Sequence, residues 1–135
     1  MVEFITGIKG IGKTKILSEA AVITAQQSKG NVIYIDCSNK LSLELPSNIR
    51  LININDYGIN SAVAFYGFLT GLCAGDYDLT DVFVDSTLDI FSGKTTDIND
   101  FLDIVTRMSN RVGVNFHFSI YDSQEKEPVY QYLND

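Results

Sequence analysis

Short apolar segments alternate with longer amphipathic segments along this chain. The short segments are rich in β-branched and aromatic residues, which is typical of strands in a sheet. They predict strands at 2–5, 31–36, 50–55, 81–85, 114–120 and 129–133. In 50–55 apolar and polar residues alternate, and 129–133 follows a charged turn at 123–128, so these two are predicted to be edge strands.

The amphipathic segments predict three helices. Apolar residues recur at helical spacing over 13–28, 61–75 and 97–113. In the second helix this apolar stripe is predicted to include Val63. The connection at 37–48 is polar and has room for one helical turn around Leu41 to Leu45.

Polar residues at the start of two of these segments predict helix caps. Asn60 or Ser61 is predicted to cap the second helix. Asp97 is predicted to cap the third helix, with Asp100 at the third helical position. A glycine at or just beyond the end of each segment predicts where the helix stops.

The alternation of strands and helices predicts the fold class. Strands joined by short turns to helices imply an α/β fold with a mostly parallel sheet of five to six strands and helices on both faces. The 135 residues suffice for a single domain, 1–135, with one core. Ligands of such sheets bind outside the carboxyl ends of the strands.

The first predicted strand leads through a glycine-rich loop directly into the first helix. The loop sequence GIKGIGKT matches the phosphate-binding pattern GxxxxGK(S/T). Backbone N–H groups that converge at the start of a helix bind phosphate oxygens, and glycines let the backbone approach them closely. The pattern therefore predicts a nucleotide-binding loop formed by Gly7, Ile8, Lys9, Gly10, Ile11, Gly12, Lys13, Thr14 and Lys15.

The polar side chains of this loop have distinct predicted roles. Lys13 is expected to contact the β- and γ-phosphates and to act in catalysis. The Thr14 hydroxyl is expected to join the ligands of a magnesium ion. Lys9 lies over the phosphates or is a solvated loop residue, and the second interpretation is favoured. The predicted ligands are ATP, or another nucleoside triphosphate, and Mg²⁺.

Acidic residues at the ends of predicted strands are candidates for the same site. Asp85 follows the apolar run VFV and is predicted to bind magnesium opposite Thr14, with a turn-capping role as the alternative. Asp36 ends another strand and is a candidate general base, with a turn-forming role left open. Asp89 could also act in the site, but an exposed turn position is favoured.

Aromatic residues at strand and helix core positions are expected to pack in the interior rather than to bind a base. Tyr57 and Tyr121 lie on predicted loops near strand ends, so either could contact a nucleotide base. His117 alternates with Phe116 and Phe118 on a predicted strand, and it is expected to be a packed or edge residue rather than a catalyst.

Composition argues against several classes of function. Ten lysines and arginines and a net charge of −7 argue against a nucleic-acid surface. Cys37 and Cys73 lack metal-ligand spacing and His117 is the only histidine, so no zinc site is predicted and both thiols are expected to be reduced and buried. No apolar run reaches about 20 residues and no leader precedes the first strand, so a cytoplasmic protein without a membrane span is expected.

The order of the motifs resembles that of the RecA-like ATPases, including the KaiC and archaeal RadA type. The segments that carry the resemblance are GIKGIGKT, NVIYIDCSNK, NIRLININDYG, VFVDSTLDIF and GVNFHFSIYDS, which span Met1 to about Tyr121. The resemblance implies a three-layer P-loop fold with RecA-like strand order. In that order the Asp85 strand lies between the strands of Tyr34 and Phe118, and the Phe118 strand lies beside the phosphate-loop strand.

The resemblance also implies site residues, and the chain departs from the family at one of them. Lys13 and Thr14 would bind the phosphates and magnesium, and Asp85 would bind magnesium. In the family a glutamate that activates the attacking water follows the second strand, and the matching place here is near Ser38. No glutamate follows Asp85 either, so hydrolysis is expected only if Asp36 substitutes for it.

Three functions remain open at the level of sequence. The first is magnesium-dependent binding of ATP or another nucleotide by a P-loop protein that is a weak or partner-dependent ATPase. The second is a nucleotide sensor or protein-interaction module that does not hydrolyse. The third, a small-molecule kinase, is ranked last because only Arg50, Arg107 and Arg111 are present to contact a transferred phosphate. A second copy of the chain or a protein partner could complete the site.

Overall fold

The computed structural model describes residues 1–37, 45–92 and 97–133. The strands are β1 (Val2–Gly7), β2 (Asn31–Asp36), β3 (Ile49–Asn53), β4 (Leu79–Val84), β5 (Asn115–Tyr121) and β6 (Val129–Leu133). The helices are α1 (Lys13–Gln27), α2 (Ala62–Gly75), α3 (Thr87–Ile90) and α4 (Ile98–Val112), and Ile54–Tyr57 forms a 3-10 turn. All six predicted strands and three predicted helices are present, and the short helix α3 is additional.

The six strands form one sheet in the order β3-β2-β4-β5-β1-β6. Neighbouring strands are parallel except β6, which is antiparallel to β1. The two predicted edge strands, β3 and β6, occupy the two edges. In addition, β4 lies between β2 and β5, and β5 lies beside β1, which are the neighbour relations that the family resemblance implied.

Helices cover both faces of the sheet. On one face α1 packs its buried Leu17 against Tyr34 and Phe83. On the other face α2 and α4 build the larger core, in which Phe65 and Phe101 stack with ring centroids 5.7 Å apart. The prediction of an α/β fold with a mostly parallel sheet between two layers of helices is therefore confirmed.

The predicted apolar stripe of α2 is wrong at Val63. Its side chain is 83% exposed, whereas Phe65 and Leu69 are buried. Residues two positions apart point about 200° apart around a helix, so Val63 cannot share the face of Phe65. The Ser61 cap is present, since its side chain accepts a hydrogen bond from the Ala64 N–H at 3.2 Å.

Three further local predictions need correction. Asp97 precedes α4 but makes no capping hydrogen bond, because its backbone has helical rather than extended dihedral angles. The strand predicted to reach Asn55 ends at Asn53, where the 3-10 turn begins. Cys37 and Cys73 are free thiols, but both are half-buried rather than buried.

Two other predictions concern the connection at 37–48 and membrane association. The helical turn predicted around Leu41 to Leu45 lies almost entirely outside the described residues. For membrane association, none of the helices in the described part of the chain has the length and apolar character that a crossing requires.

Candidate functional site

The loop between β1 and α1 contains two glycines with left-handed backbone angles. Gly10 and Gly12 have φ angles of 83° and 95°, in the left-handed region that favours glycine. A Cβ atom at either position would meet no atom within 4 Å, so backbone conformation rather than space requires glycine there. Gly12 directly precedes the 15-residue helix α1, whose first turn carries no acidic residue. The positive end of the α1 dipole therefore faces this loop.

Lys13 is folded back onto the loop. Its Nζ donates hydrogen bonds to the carbonyl oxygens of Gly7 at 2.6 Å and Ile8 at 2.7 Å. Burial lowers the pKa of Lys13. The Asp85 carboxylate opposes this lowering, and the positive charge of Lys9 reinforces it. An ammonium group has three donors, so one remains for a further acceptor.

Asp85 lies just beyond the end of β4 and is 3% exposed. Its Oδ1 accepts hydrogen bonds from the Ser119 hydroxyl at 2.5 Å and the Ser86 N–H at 2.9 Å. Its Oδ2 accepts a hydrogen bond from the Tyr34 hydroxyl at 3.3 Å. Three neutral donors from two strands and a turn thus hold this carboxylate in place.

A cavity of about 730 Å³ separates the loop from Asp85. Its described lining consists of Lys9, Gly10, Gly12, Lys13, Thr14, Lys15, Ser18, Asp85, Ser86, Leu88, Asp89, Ser119 and Tyr121. Three lysines lie on the loop and helix side, and two carboxylates lie on the β4 side. Positive and negative groups are therefore segregated across a cavity of ligand-binding size.

Most of the predicted loop residues line this cavity, and the remaining three support the loop. Gly7 and Ile8 supply the carbonyl groups that hold Lys13. A Cβ atom on Gly7 would lie 2.1 Å from Cδ1 of Ile11, so Ile11 occupies the space that a larger residue would need. Thr14 and Asp85, the two predicted magnesium ligands, line the same cavity.

The acidic residues near the site differ in their access to the cavity. Asp36 is 4% exposed and is not among the described cavity-lining residues, whereas Asp89 is exposed and lines the cavity. Both lie near Cys37: burial and, to a smaller extent, the charges of Asp89, Asp36 and Asp85 together raise the pKa of its thiol to about 12. Ser38, where the resemblance would place a glutamate, lies outside the described residues.

Sequence reasoning missed Ser119 and the Tyr34 hydroxyl. A signal for Ser119 was present, because β5 carries polar residues at every second position, and such residues share one face of a strand. Of the two candidate base-contacting tyrosines, Tyr121 lines the cavity. Tyr57 instead packs against Phe68, with ring centroids 5.6 Å apart.

No protein-family model and no curated protein matches this chain. The order of the motifs and the order of the strands are the features in which this chain resembles RecA-like ATPases.

Proposed function

We propose that this chain is a RecA-like P-loop protein that binds ATP or another nucleoside triphosphate together with Mg²⁺. The observation that carries the proposal is that the glycine loop with Lys13 faces the Asp85 carboxylate across one cavity of about 730 Å³. The two groups come from β1 and β4, which are separated in the sheet by β5. Their strands are parallel and their carboxyl ends lie at the same edge, where ligands of such sheets bind.

The residues present have the chemistry that a magnesium–triphosphate complex requires. Backbone N–H groups of the loop and the Lys13 ammonium would bind phosphate oxygens. Thr14 and Asp85 supply oxygen ligands of the kind that Mg²⁺ prefers. The described part of the chain has no cluster of three or more His, Cys, Asp or Glu residues able to hold a metal by itself. The cation would therefore depend on phosphate oxygens and water for its remaining ligands, and when bound it would neutralise phosphate charge.

Hydrolysis is proposed to be weak or dependent on a partner. Asp36 is buried outside the described cavity lining, and Asp89 is the carboxylate besides Asp85 that lines it. This arrangement favours a nucleotide sensor without useful turnover as the second candidate function. A kinase stays last, since no arginine is among the described cavity-lining residues and Arg107 pairs with Asp103 at 2.6 Å on the surface of α4.

The binding proposal is tested by removing the Lys13 ammonium. We expect Lys13→Ala to reduce the affinity for ATP with Mg²⁺ about ten- to a hundredfold, the effect of losing a charge-assisted hydrogen bond. Isothermal titration calorimetry measures this change, and Lys29→Ala is the control because it removes the same charge from an exposed site outside the cavity. Equal affinity in the two variants, or no binding by the wild-type protein, would refute the proposal.

Hydrolysis is tested on the same samples by following phosphate release. We expect slow release by the wild-type protein and a loss of about a hundredfold in the variant that removes the base, with nucleotide affinity retained. Asp36→Asn removes the buried candidate, and Asp89→Asn removes the cavity-lining one. Binding without release would identify the protein as a sensor, and release that survives both substitutions would exclude both carboxylates as the base.

A further inference from the structure

The Asp85 carboxylate has little acceptor capacity left. Its two oxygens offer about four lone-pair sites in total. Oδ1 accepts a full hydrogen bond from the Ser119 hydroxyl and part of a bifurcated one from the Ser86 N–H, which Ser119 Oγ shares, so its acceptor sites are largely used. Oδ2 accepts from the Tyr34 hydroxyl and retains about one further site. Asp85 itself lines the cavity, together with Ser86 and Ser119.

The two hydroxyl donors come from buried positions in the sheet. Tyr34 is fully buried, and its ring stacks on Phe83 at 6.4 Å with an interplanar angle of 9°. Ser119 is 1% exposed, and its Oγ accepts the Ser86 N–H at 2.8 Å while donating to Asp85.

We infer that Tyr34 and Ser119 are positioning residues that restrict Asp85 to one-oxygen contact with the hydrated cation and so select Mg²⁺ over Ca²⁺. This inference rests on the proposed function. Ca²⁺ accepts bidentate carboxylates and irregular geometry, whereas Mg²⁺ requires near-octahedral geometry and keeps several waters. A carboxylate with one open acceptor site therefore suits Mg²⁺ better than Ca²⁺. Removing either hydroxyl frees an acceptor site and an orientation that the larger ion can use.

The test measures ATP binding by calorimetry in Mg²⁺, in Ca²⁺ and in a metal chelator. Tyr34→Phe keeps the buried ring and removes only the hydroxyl, and Ser119→Ala removes the second donor. Ser119→Thr restores a hydroxyl at the same position. Tyr66→Phe is the matched control, because Tyr66 is a half-buried tyrosine of α2 that is not among the described cavity-lining residues. Thermal unfolding verifies that each variant is folded.

We expect Tyr34→Phe and Ser119→Ala to weaken Mg²⁺-dependent binding by about three- to tenfold. This loss is at or below the lower end of the range of affinity losses seen when residues that orient metal ligands are mutated. The affinity for ATP in the chelator should stay unchanged, and the ratio of the ATP affinities in Mg²⁺ and in Ca²⁺ should fall. Ser119→Thr should restore this ratio. An equal loss in all three conditions would show a structural role and overturn the inference, as would an unchanged ratio in Tyr34→Phe. If the wild-type protein binds ATP in none of the conditions, the proposed function itself fails.

Discussion

Among single residues outside the cavity, His117 shows how a buried polar group can be accommodated in the sheet. It is 5% exposed, and its two ring nitrogens contact Glu3 at 2.5 Å and Asp81 at 2.8 Å. Its ring stacks on Phe83 at 4.1 Å. Burial alone would lower the pKa of His117, but the hydrogen bonds and charges of Asp81 and Glu3 outweigh it, so the pKa lies above its ordinary value of 6.5. Burial would raise the pKa of Asp81, but the hydrogen bond and charge of His117, with further hydrogen bonds from Thr80 and Asn115, outweigh it, and the pKa lies below 3.8.

This arrangement makes folding stability depend on pH. A raised histidine pKa gives stability that is fully present below the unfolded value near 6.5 and is lost as pH rises through the folded value. The lowered Asp81 pKa gives stability that is present above 3.8 and lost as pH falls through the folded value. We expect the free energy of unfolding to fall by about 1–3 kcal/mol between about pH 6 and about pH 9, as a charge-assisted hydrogen bond becomes neutral. Urea denaturation at the two pH values measures it.

His117→Gln is the control for this prediction, because glutamine keeps a polar side chain that does not titrate. The variant should be less stable than the wild-type protein at the lower pH, since two carboxylates lose their cationic partner. Its stability should also change less between the two pH values. If both proteins show the same pH dependence, the pairing of His117 with the carboxylates is not its source.

Among elements, the junction of α1 with β2 shows a close contact that the sequence pattern does not reveal. Gly30 follows the helix, and a Cβ atom there would lie 2.1 Å from the Asp78 carbonyl oxygen and 2.6 Å from Cγ2 of Thr80. A hydrogen bond joins the segment after α1 to the segment before β4, since the Asn31 N–H donates to the Asp78 carbonyl at 2.8 Å. Gly30 is therefore required for close approach of two backbone segments, in addition to its predicted position at a helix end.

Gly30→Ala should therefore destabilise the fold by about 1–3 kcal/mol, because the backbone at Asp78, just before β4, must move to admit the methyl group. The matched control is Gly67→Ala in the middle of α2, where an added Cβ would meet no atom within 4 Å. That substitution should stabilise the protein by roughly 0.5–1 kcal/mol, since alanine favours helix more than glycine does. Urea denaturation of the two variants measures both effects. Equal stability of the two variants would contradict the contact at Gly30.

At the scale of the whole molecule, the order of the strands assembles the candidate site. Residues from the loop after β1, the turn after β4 and the end of β5 meet around one cavity. The chain has a net charge of −7, yet three of its lysines line this cavity. The turn after β5 also supports the loop, because Ile8 N–H donates to the Glu125 carbonyl at 2.9 Å and Asp122 N–H donates to the Gly7 carbonyl at 3.0 Å.

The sequence alone predicted the six strands, three of the described helices, the fold class and most of the described cavity lining. Local patterns decide these features, because apolar periodicity distinguishes strands from helices and a glycine loop before a helix is a local motif. The same reasoning placed Asp85 at the carboxyl edge of the sheet, because a carboxylate directly after a strand lies at that strand's carboxyl end. It identified the edge strands from the alternation in 50–55 and the position of 129–133.

The tertiary structure decided which polar groups meet. The hydroxyls of Tyr34 and Ser119 reach Asp85 from residues 51 and 34 positions away in the chain, and Asp81 and Glu3 reach His117 from opposite neighbouring strands. It also placed Asp89, which lies in the short helix α3, in the described cavity lining, and not Asp36, which ends β2. Such contacts depend on strand order, register and the face to which each side chain points. A one-dimensional pattern specifies the face of a residue but not the partner that another strand brings to it.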